Sequence, residues 1–110
     1  MKLYVVEDLT EEHMRALRER LDAMEMGSGM DGLYWLPLPE ALLSDLQCAH
    51  TECAPHCMAL ETTADSLRLE LLVRARNRLR CDCVSYASPQ LREHMVNYLN
   101  TLLDELGIYI

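Results

Sequence analysis

Runs of apolar residues with two different periods divide the first part of the chain into a strand and a helix. Leu3–Val6 is a nearly continuous apolar run of β-branched and aromatic type, which predicts a short strand. Apolar residues then recur at three- and four-residue intervals, which is typical of a helix with one buried face. We expect this helix to begin after Thr10, whose hydroxyl can cap free backbone N–H groups, and to end near Met26. Its predicted apolar stripe consists of Met14, Leu17, Leu21 and Met24.

The next segment combines turn-forming residues with a second strand and a second helix. The glycines of residues 27–32 match a dinucleotide-binding spacing, but they follow a helix instead of opening one and therefore predict a turn. Leu33–Leu36 is the second predicted strand. Pro39 suits the first turn of a helix over Glu40–Gln47. Pro55 argues against a continuous helix through the residues that follow.

A period of two governs residues 58–83, where apolar and polar positions alternate. Beyond a predicted turn at residues 64–66, one set of alternate positions is apolar or cysteine, and most of the other set is charged. The first set is Leu67, Leu69, Leu71, Val73, Ala75, Leu79, Cys81 and Cys83. Because this run is longer than a usual strand, we predict two strands joined by a hairpin turn near Arg76–Asn77. The alternative is a helix from Ser66 to Arg80, since apolar residues within it also recur every four positions.

A capping serine followed by proline opens the last predicted helix at Ser88–Pro89. Gly107 closes this helix, and the apolar tail Ile108–Ile110 can add to a sheet edge. The predicted apolar stripe is Leu91, Met95, Leu99, Leu102 and Leu106. The order of elements is therefore strand, helix, strand, helix, three strands and helix. It indicates a single α+β domain over residues 1–110, with a mostly antiparallel sheet packed against about three helices.

Composition and charge disfavour several classes of protein. Apolar residues make up 50% of the 110 residues and charged residues 25%, which is the profile of a globular chain and not of a disordered one. The formal net charge of −8 disfavours binding to nucleic acid or to anionic membranes. The N-terminal apolar run is too short for a signal peptide and no run reaches the length of a membrane span, so we expect a cytoplasmic location. An odd number of cysteines, five, fits a reducing compartment better than a disulfide framework.

All five cysteines and two of the four histidines lie in two short patches, residues 48–57 and residues 81–83. Zinc sites in small proteins use thiolate and imidazole ligands, usually drawn from two separated segments. If residues 81–83 lie on a strand, both thiols point to one side and can reach one ion. The sequence therefore predicts a metal site, most simply for zinc. The candidate ligands are Cys53, Cys57, Cys81 and Cys83, with His50 or His56 replacing one of them.

Other interpretations of the cysteines stay open, because the spacing contains no C-x₂-C knuckle. Cys81 and Cys83 continue the apolar side of a predicted strand, where cysteine often serves as a small hydrophobic residue. The stretch Cys53-Ala-Pro-His56-Cys57 superficially resembles a dithiol redox motif. It has one residue too many, however, and follows a helix instead of opening one, so nothing predicts a lowered thiol pKa. A catalytic role is therefore the less favoured interpretation.

Arginine is concentrated in the period-two segment and suggests a binding role. Five of the ten basic residues fall within thirteen positions, and alternate positions on a strand share one face. These residues are Arg68, Arg74, Arg76, Arg78 and Arg80. Guanidinium groups suit an acidic or phosphate-bearing partner. Pairing with the chain's own excess of acidic residues is the simpler explanation, since a solvated sheet face must be polar in any case.

These observations favour a small zinc-binding accessory or binding protein. The main alternative is a metal-free interaction module or a homodimer formed through the C-terminal helix or the terminal Ile-Tyr-Ile edge. A thiol-redox enzyme is the third hypothesis. Metal content distinguishes the first hypothesis from the second, and a perturbed thiol pKa distinguishes an enzyme from both.

Overall fold

A computed structural model of the protein describes residues 1–109, in which six strands form one sheet accompanied by three α-helices. The strands are β1 (Leu3–Val6), β2 (Leu33–Pro37), β3 (His56–Thr62), β4 (Leu67–Glu70), β5 (Leu72–Ala75) and β6 (Ser85–Tyr86). The helices are α1 (Glu11–Ala23), α2 (Asp45–Ala49) and α3 (Pro89–Glu105), and 3₁₀ turns at Glu40–Leu42 and Thr51–Cys53 flank α2. The predicted α+β class with a mostly antiparallel sheet is confirmed. None of the helices in the described residues has the length and apolar character needed to cross a membrane.

Strand β3 is the centre of the sheet. It pairs antiparallel with β2 along one edge, and with β4 and then β5 along the other. β4 and β5 are one run of chain interrupted at Leu71, whose N–H donates to the carbonyl of Lys2 at 3.0 Å and so continues the register of β4 with β1 by one residue. β1 pairs with β4 and β6 pairs with β5, both antiparallel. The turn between β3 and β4 is closed by a 2.6 Å hydrogen bond between the hydroxyls of Thr63 and Ser66.

Helices α1 and α3 cover one face of the sheet, which we call the inner face. The hydroxyl of Tyr34 in β2 donates to Asp22 of α1 at 3.0 Å. The hydroxyl of Tyr4 in β1 donates to Asn100 of α3 at 2.9 Å. The helix residues buried against this face are Met14, Leu17, Leu21, Leu91, Met95 and Leu99. Because burying one leucine side chain contributes about 2 kcal/mol, this layer accounts for much of the hydrophobic stabilisation.

The opposite, outer face of the sheet carries the more polar half of the alternating pattern. Residues directly opposite each other in paired strands share a face. Cys57 lies opposite Arg74 and Trp35 lies opposite Ala59, so these four side chains belong to the outer face. From Leu67 to Ala75 the odd positions are buried and the even positions are half-buried or exposed. The predicted alternation is therefore confirmed over β4 and β5.

Capping residues begin the first and last helices where the sequence predicts. The side chains of Thr10 and Ser88 each accept a backbone hydrogen bond from the residue three positions on, at 3.1 and 3.2 Å. α1 ends at Ala23, slightly before the predicted end near Met26. The residues between Ala23 and β2 then form the predicted turn region.

The helix predicted over Glu40–Gln47 is divided into two pieces. A 3₁₀ turn covers residues 40–42, and α2 begins only after Ser44. The Ser44 hydroxyl accepts from the N–H of Gln47 at 3.1 Å, while the Gln47 side-chain oxygen accepts from the N–H of Ser44 at 2.9 Å. This reciprocal capping box starts a new helix at Asp45, so the chain changes direction between the two pieces.

The chain turns at Arg76–Asn77 as predicted, but it enters a long loop there instead of a tight hairpin, and the alternative helix from Ser66 to Arg80 is wrong. Residues 76–84 form a loop, and the last two cysteines lie in this loop instead of on a strand. The N–H of the first loop residue donates to the carbonyl of Pro55 at 3.1 Å, so the chain leaves the sheet towards the segment before β3. The alternation beyond β5 therefore reflects an exposed loop, and β6 returns to β5 only after it.

The chain after α3 closes that helix instead of extending the sheet. Gly107 has a φ of 73°, the left-handed conformation in which many helices end. The N–H of Ile108 then donates to the carbonyl of Leu103 at 2.9 Å, and the Ile108 side chain is buried in the core. An edge strand is absent from residues 108–109, and Ile110 lies outside the described part of the chain.

Candidate metal centre

Four side chains converge between the segment that precedes β3 and the loop that follows β5. Their ligand atoms, one imidazole nitrogen and three thiol sulfurs, all lie within 4.8 Å of one another. We call this group the His/Cys cluster; its members are His50, Cys53, Cys81 and Cys83. His50 Nδ1 and Cys81 Sγ are 3.0 Å apart. A tetrahedral zinc ion with Zn–S bonds of about 2.3 Å separates its sulfur ligands by about 3.8 Å, which is compatible with ligand atoms that lie within 4.8 Å of one another.

The first half of the His/Cys cluster is set by the end of α2. His50 caps the helix, and its N–H donates to the carbonyl of Leu46 at 3.1 Å. The chain then tightens into a 3₁₀ turn, in which the N–H of Cys53 donates to the carbonyl of His50 at 3.1 Å. Side chains three residues apart in a 3₁₀ turn lie on the same side. His50 Nδ1 and Cys53 Sγ are consequently 4.0 Å apart.

The second half is a tight turn in the loop after β5. The N–H of Val84 donates to the carbonyl of Cys81 at 3.0 Å, which folds residues 81–84 into a turn. The buried side chain of Gln47 in α2 donates to the carbonyl of Cys83 at 3.0 Å. Gln47 therefore joins the two halves, a role that its position near the end of a predicted helix does not indicate.

Burial and local hydrogen bonding give the three thiols of the cluster different acidities. Burial raises the pKa of Cys53, and it raises the pKa of Cys83 to about 12. Both side chains are inaccessible to solvent. Hydrogen bonds from the backbone and thiol of Cys83 lower the pKa of the half-exposed Cys81 to about 7. A lowered thiol pKa, which the sequence does not predict, therefore occurs at Cys81. The other two thiols need a cation to favour the loss of their protons.

His56 contacts the cluster without belonging to the four-atom group. It is the first residue of β3, and its Nε2 lies 3.5 Å from Cys83 Sγ. Burial lowers the pKa of His56, so the imidazole is neutral at pH 7. In the tautomer with its proton on Nε2, His56 donates to the Cys83 sulfur. Residues that do not bind a metal themselves often support its ligands through hydrogen bonds of this kind.

Cys57 and Cys48 lie apart from the cluster. Cys57 follows His56 in β3, and adjacent strand residues point to opposite faces, so Cys57 faces outward. Its Sγ donates to the carbonyl of Arg74 at 3.9 Å, and burial raises the pKa of Cys57 to about 11. Cys48 is exposed on α2, with its Sγ 3.6 Å from the carbonyl of Glu40. Of the six predicted ligand candidates, the structure thus brings together four.

One spacing in the sequence points to these four residues, although it differs from the spacings of a C-x₂-C knuckle and of a zinc finger. His50 and Cys53 form an H-x₂-C pair directly after a helix, which is the spacing of a single 3₁₀ turn. Cys81 and Cys83 form a C-x-C pair, which reaches one point from a tight turn as well as from a strand. The expected convergence of the two thiols therefore occurs in a loop.

The predicted arginine face is only partly engaged by the chain's own acidic residues. Arg74 Nε donates to Glu70 at 2.8 Å, and Arg68 lies 3.9 Å from Glu61 in an exposed ion pair. The guanidinium of Arg76 lies 5.7 Å from the centre of the Trp35 ring. The other two arginines of the set, Arg78 and Arg80, lie in the loop after β5 instead of on the predicted sheet face. Both are exposed and make no ion pair within residues 1–109.

The chemistry of the His/Cys cluster carries the functional inference. No protein-family model, curated protein or solved structure gives a significant match to this chain. Fold class alone does not identify a function, since α+β architectures host many unrelated activities. The donor atoms of the cluster, in contrast, restrict the ligand to a small set of cations.

Proposed function

We propose that the protein is a small zinc-binding accessory protein in which one Zn²⁺ joins the end of α2 to the loop after β5. The observation that carries this proposal is the convergence of one imidazole and three thiol donors within 4.8 Å. The ligands are His50 Nδ1 and the sulfurs of Cys53, Cys81 and Cys83. The reducing cytoplasm expected from the sequence keeps such thiols available for metal.

The donor set selects zinc over other common biological cations. Calcium and magnesium prefer oxygen ligands, whereas soft thiolates together with imidazole suit zinc. A Cys₃His set is one of the usual donor combinations of structural zinc sites. Iron–sulfur clusters are generally held by four cysteines, and here one position of the four is histidine.

The proposed role of the metal is structural. A catalytic zinc ion keeps one coordination position for water or substrate, whereas a structural zinc ion is bound by four protein ligands. All four positions are filled by side chains here, and two of these, Cys53 and Cys83, are inaccessible to solvent. The ion therefore acts as a cross-link, and the protein acts through a surface that this cross-link holds in place.

The cross-link stabilises the part of the loop that lies beyond Asn77. The start of the loop is held to the segment before β3 by the backbone N–H groups of Arg76 and Asn77 and by the 2.7 Å hydrogen bond from the Asn77 side chain to the carbonyl of Ala54. Further along the loop, Gln47 provides an attachment through the carbonyl of Cys83. A zinc ion adds a cross-link that needs no extended hydrophobic core, because the metal–ligand bonds themselves supply free energy of folding.

Elemental analysis of protein purified without a chelating tag tests this proposal. We expect about one zinc per chain. We also expect Cys53, Cys81 and Cys83 to resist a thiol reagent until the protein is unfolded in the presence of a chelator, while the exposed Cys48 reacts at once. Metal-free protein whose cluster thiols react without unfolding contradicts the proposal. A mass lower by about 2 Da that is restored by reductant indicates a disulfide in the cluster instead, and favours the thiol-redox hypothesis.

A further inference from the structure

A hollow on the outer face of the sheet lies beside the loop that follows β5. Its volume is about 190 Å³, and it is lined by Trp35, Arg74, Ala75, Arg76, Leu79 and Val84. We call it the Trp35 hollow. The ring of Trp35 and the guanidinium of Arg76, 5.7 Å from the ring centre, form one of its walls. The hollow thus combines an apolar interior with guanidinium groups at its edge.

Leu79 is the most exposed large hydrophobic side chain of this surface, with 91% of its area accessible. It lies between Arg78 and Arg80, both of which are also exposed. An exposed leucine flanked by unpaired charges has no role in the packing of the chain itself. It has the composition expected of a contact residue, because an interface combines an apolar centre with a charged rim.

The charge near the hollow is opposite in sign to that of the molecule. The chain carries a formal net charge of −8, but the hollow and its loop present four arginines against one acidic residue of the loop, Asp82. Only Arg74 among these arginines is in an ion pair within residues 1–109. Electrostatic interactions at the surface are screened over about 8 Å at physiological ionic strength, so a bound ligand experiences mainly these nearby charges. A short anionic ligand is therefore attracted locally, whereas a long polyanion also meets the acidic remainder of the surface.

We propose that the Trp35 hollow and Leu79 form a docking site for an acidic peptide segment that carries an aliphatic side chain. The aliphatic side chain enters the hollow between Trp35, Leu79 and Val84. Carboxylates on either side of it accept hydrogen bonds from the guanidiniums of Arg76, Arg78 and Arg80. A leucine flanked by glutamates has this chemistry.

This inference goes beyond the zinc proposal and rests on it in one respect, because Arg78, Leu79 and Arg80 belong to the loop that the proposed metal holds in place. The N–H of Arg76 donates to the carbonyl of Pro55 at 3.1 Å, and Trp35 is fixed in β2 through its N–H bond to the carbonyl of Met26 at 2.8 Å. The walls formed by Trp35 and Arg76 are therefore positioned by the sheet, whereas Leu79 and Val84 belong to the loop after β5. Peptide binding and zinc content are measured separately below, so that failure of either proposal is recognised independently of the other.

The first experiment titrates the full-length protein, with its zinc content determined, with the acetylated and amidated hexapeptide Glu-Glu-Leu-Glu-Glu-Leu. Trp35 is the single tryptophan of the chain, so its fluorescence reports occupation of the hollow. We expect a saturable change, with Kd rising at least about fivefold between 50 and 300 mM NaCl because the contacts include exposed charges. A peptide with lysine in place of glutamate is expected not to bind, and one with serine in place of leucine is expected to bind at least about tenfold more weakly.

The second experiment repeats the titration by calorimetry with variants of the loop. Leu79→Ser and the double variant Arg78→Gln/Arg80→Gln are each expected to raise Kd at least about tenfold. Arg92→Gln is the matched control, because Arg92 is an exposed arginine on α3, across the sheet from the hollow. Its Kd is expected to equal that of the wild type.

Four results overturn the proposal. They are no binding of the glutamate peptide, equal binding of the lysine peptide, equal weakening by Arg92→Gln, and tighter binding of a single-stranded oligonucleotide of the same charge. Sedimentation equilibrium provides a further check: a dimer that Leu79→Ser dissociates assigns this surface to a second copy of the chain and also overturns it.

Discussion

At the scale of single residues, neighbours in the chain have different chemical environments because they lie on different faces. His56 and Cys57 are adjacent in β3, yet only His56 reaches the His/Cys cluster, through its 3.5 Å contact with Cys83. Cys57 faces outward against Arg74. A count of cysteines and histidines therefore overstates the number of side chains available to one ion.

The proposed zinc site predicts that replacing a cysteine of the cluster and replacing a cysteine outside it have different effects on zinc content and stability. Cys81→Ser is expected to lower zinc content from about one per chain to well below half, and to lower the melting temperature with it, because a ligand and a cross-link are lost together. Cys48→Ser is the matched control, since Cys48 is an exposed cysteine outside the cluster. Elemental analysis and thermal unfolding check both variants. Unchanged zinc in Cys81→Ser removes Cys81 from the ligand set.

Gln47 supports the proposed metal ligands without being one of them, so its loss should affect both stability and metal binding. Gln47→Ala removes the hydrogen bonds to Ser44 and to the carbonyl of Cys83. We expect a loss of about 2 kcal/mol in the free energy of unfolding, because buried polar groups lose their partners. Zinc affinity is expected to fall by about tenfold, as for other residues that support metal ligands. Urea unfolding and competition with a chromogenic chelator measure the two effects.

Gln90→Ala provides the comparison for this prediction. Gln90 is exposed in the first turn of α3, where the same substitution removes no buried hydrogen bond. Its free energy of unfolding and zinc affinity are expected to match those of the wild type. Equal effects at the two glutamines would mean that Gln47 does not join the halves of the cluster.

At the scale of elements, the ends of helices and strands matter more than their interiors. The capping box of Ser44 and Gln47 restarts the helix that delivers His50 to the cluster. At the other end of the chain, Gly107 reverses the backbone so that Ile108 returns to the core. The interior periodicity of an element predicts its type, and the capping residues determine where the following segment goes.

The end of α3 gives a prediction that is independent of the metal. Gly107→Ala is expected to lower the free energy of unfolding by about 1 kcal/mol, because alanine is strained in the left-handed conformation that Gly107 adopts at φ 73°. The added methyl group meets no atom within 4 Å, so conformational strain is the only cost. Gly27→Ala is the control, since Gly27 is equally open and lies outside the left-handed region. Chemical denaturation of both variants measures the difference, and equal effects would contradict the explanation.

At the scale of the whole molecule, the hydrophobic interior has two parts. The larger one is formed by the inner face of the sheet with α1 and α3. The smaller one contains Cys53, Ala75 and Cys83, with Cys81 and Val84 packed against it. The His/Cys cluster thus belongs to a small separate core, and its contribution to stability is expected to be local.

Removal of the metal is therefore expected to loosen one end of the molecule without unfolding it. After treatment with a strong chelator, amide hydrogen exchange should accelerate in residues 50–53 and 76–85, while α3 keeps its protection. Circular dichroism should show little loss of helix, because α1 and α3 pack in the larger core. Loss of protection throughout α3 would indicate that the metal stabilises the entire fold.

Local patterns in the sequence determine much of this protein. The periods of β1, α1 and α3, the caps Thr10 and Ser88, and the buried and exposed positions of β4 and β5 agree with the structure. The exception is Met24, the last residue of the predicted stripe of α1, which lies beyond the helix and is exposed. They could be predicted because each depends on residues within a few positions of one another. The four members of the His/Cys cluster were likewise contained in the six predicted candidates.

Only the tertiary structure decides which of these residues meet. Hydrogen bonds between distant segments, such as Asn77 to Ala54 and Gln47 to Cys83, hold the last two cysteines in a loop. They also bring His50, instead of His56, into the four-atom group. A period-two pattern does not encode where a strand ends, since an exposed loop with alternating arginines has the same pattern. Pairing register and loop docking are set by contacts that are far apart in the chain, and these are fixed only when the sheet has formed.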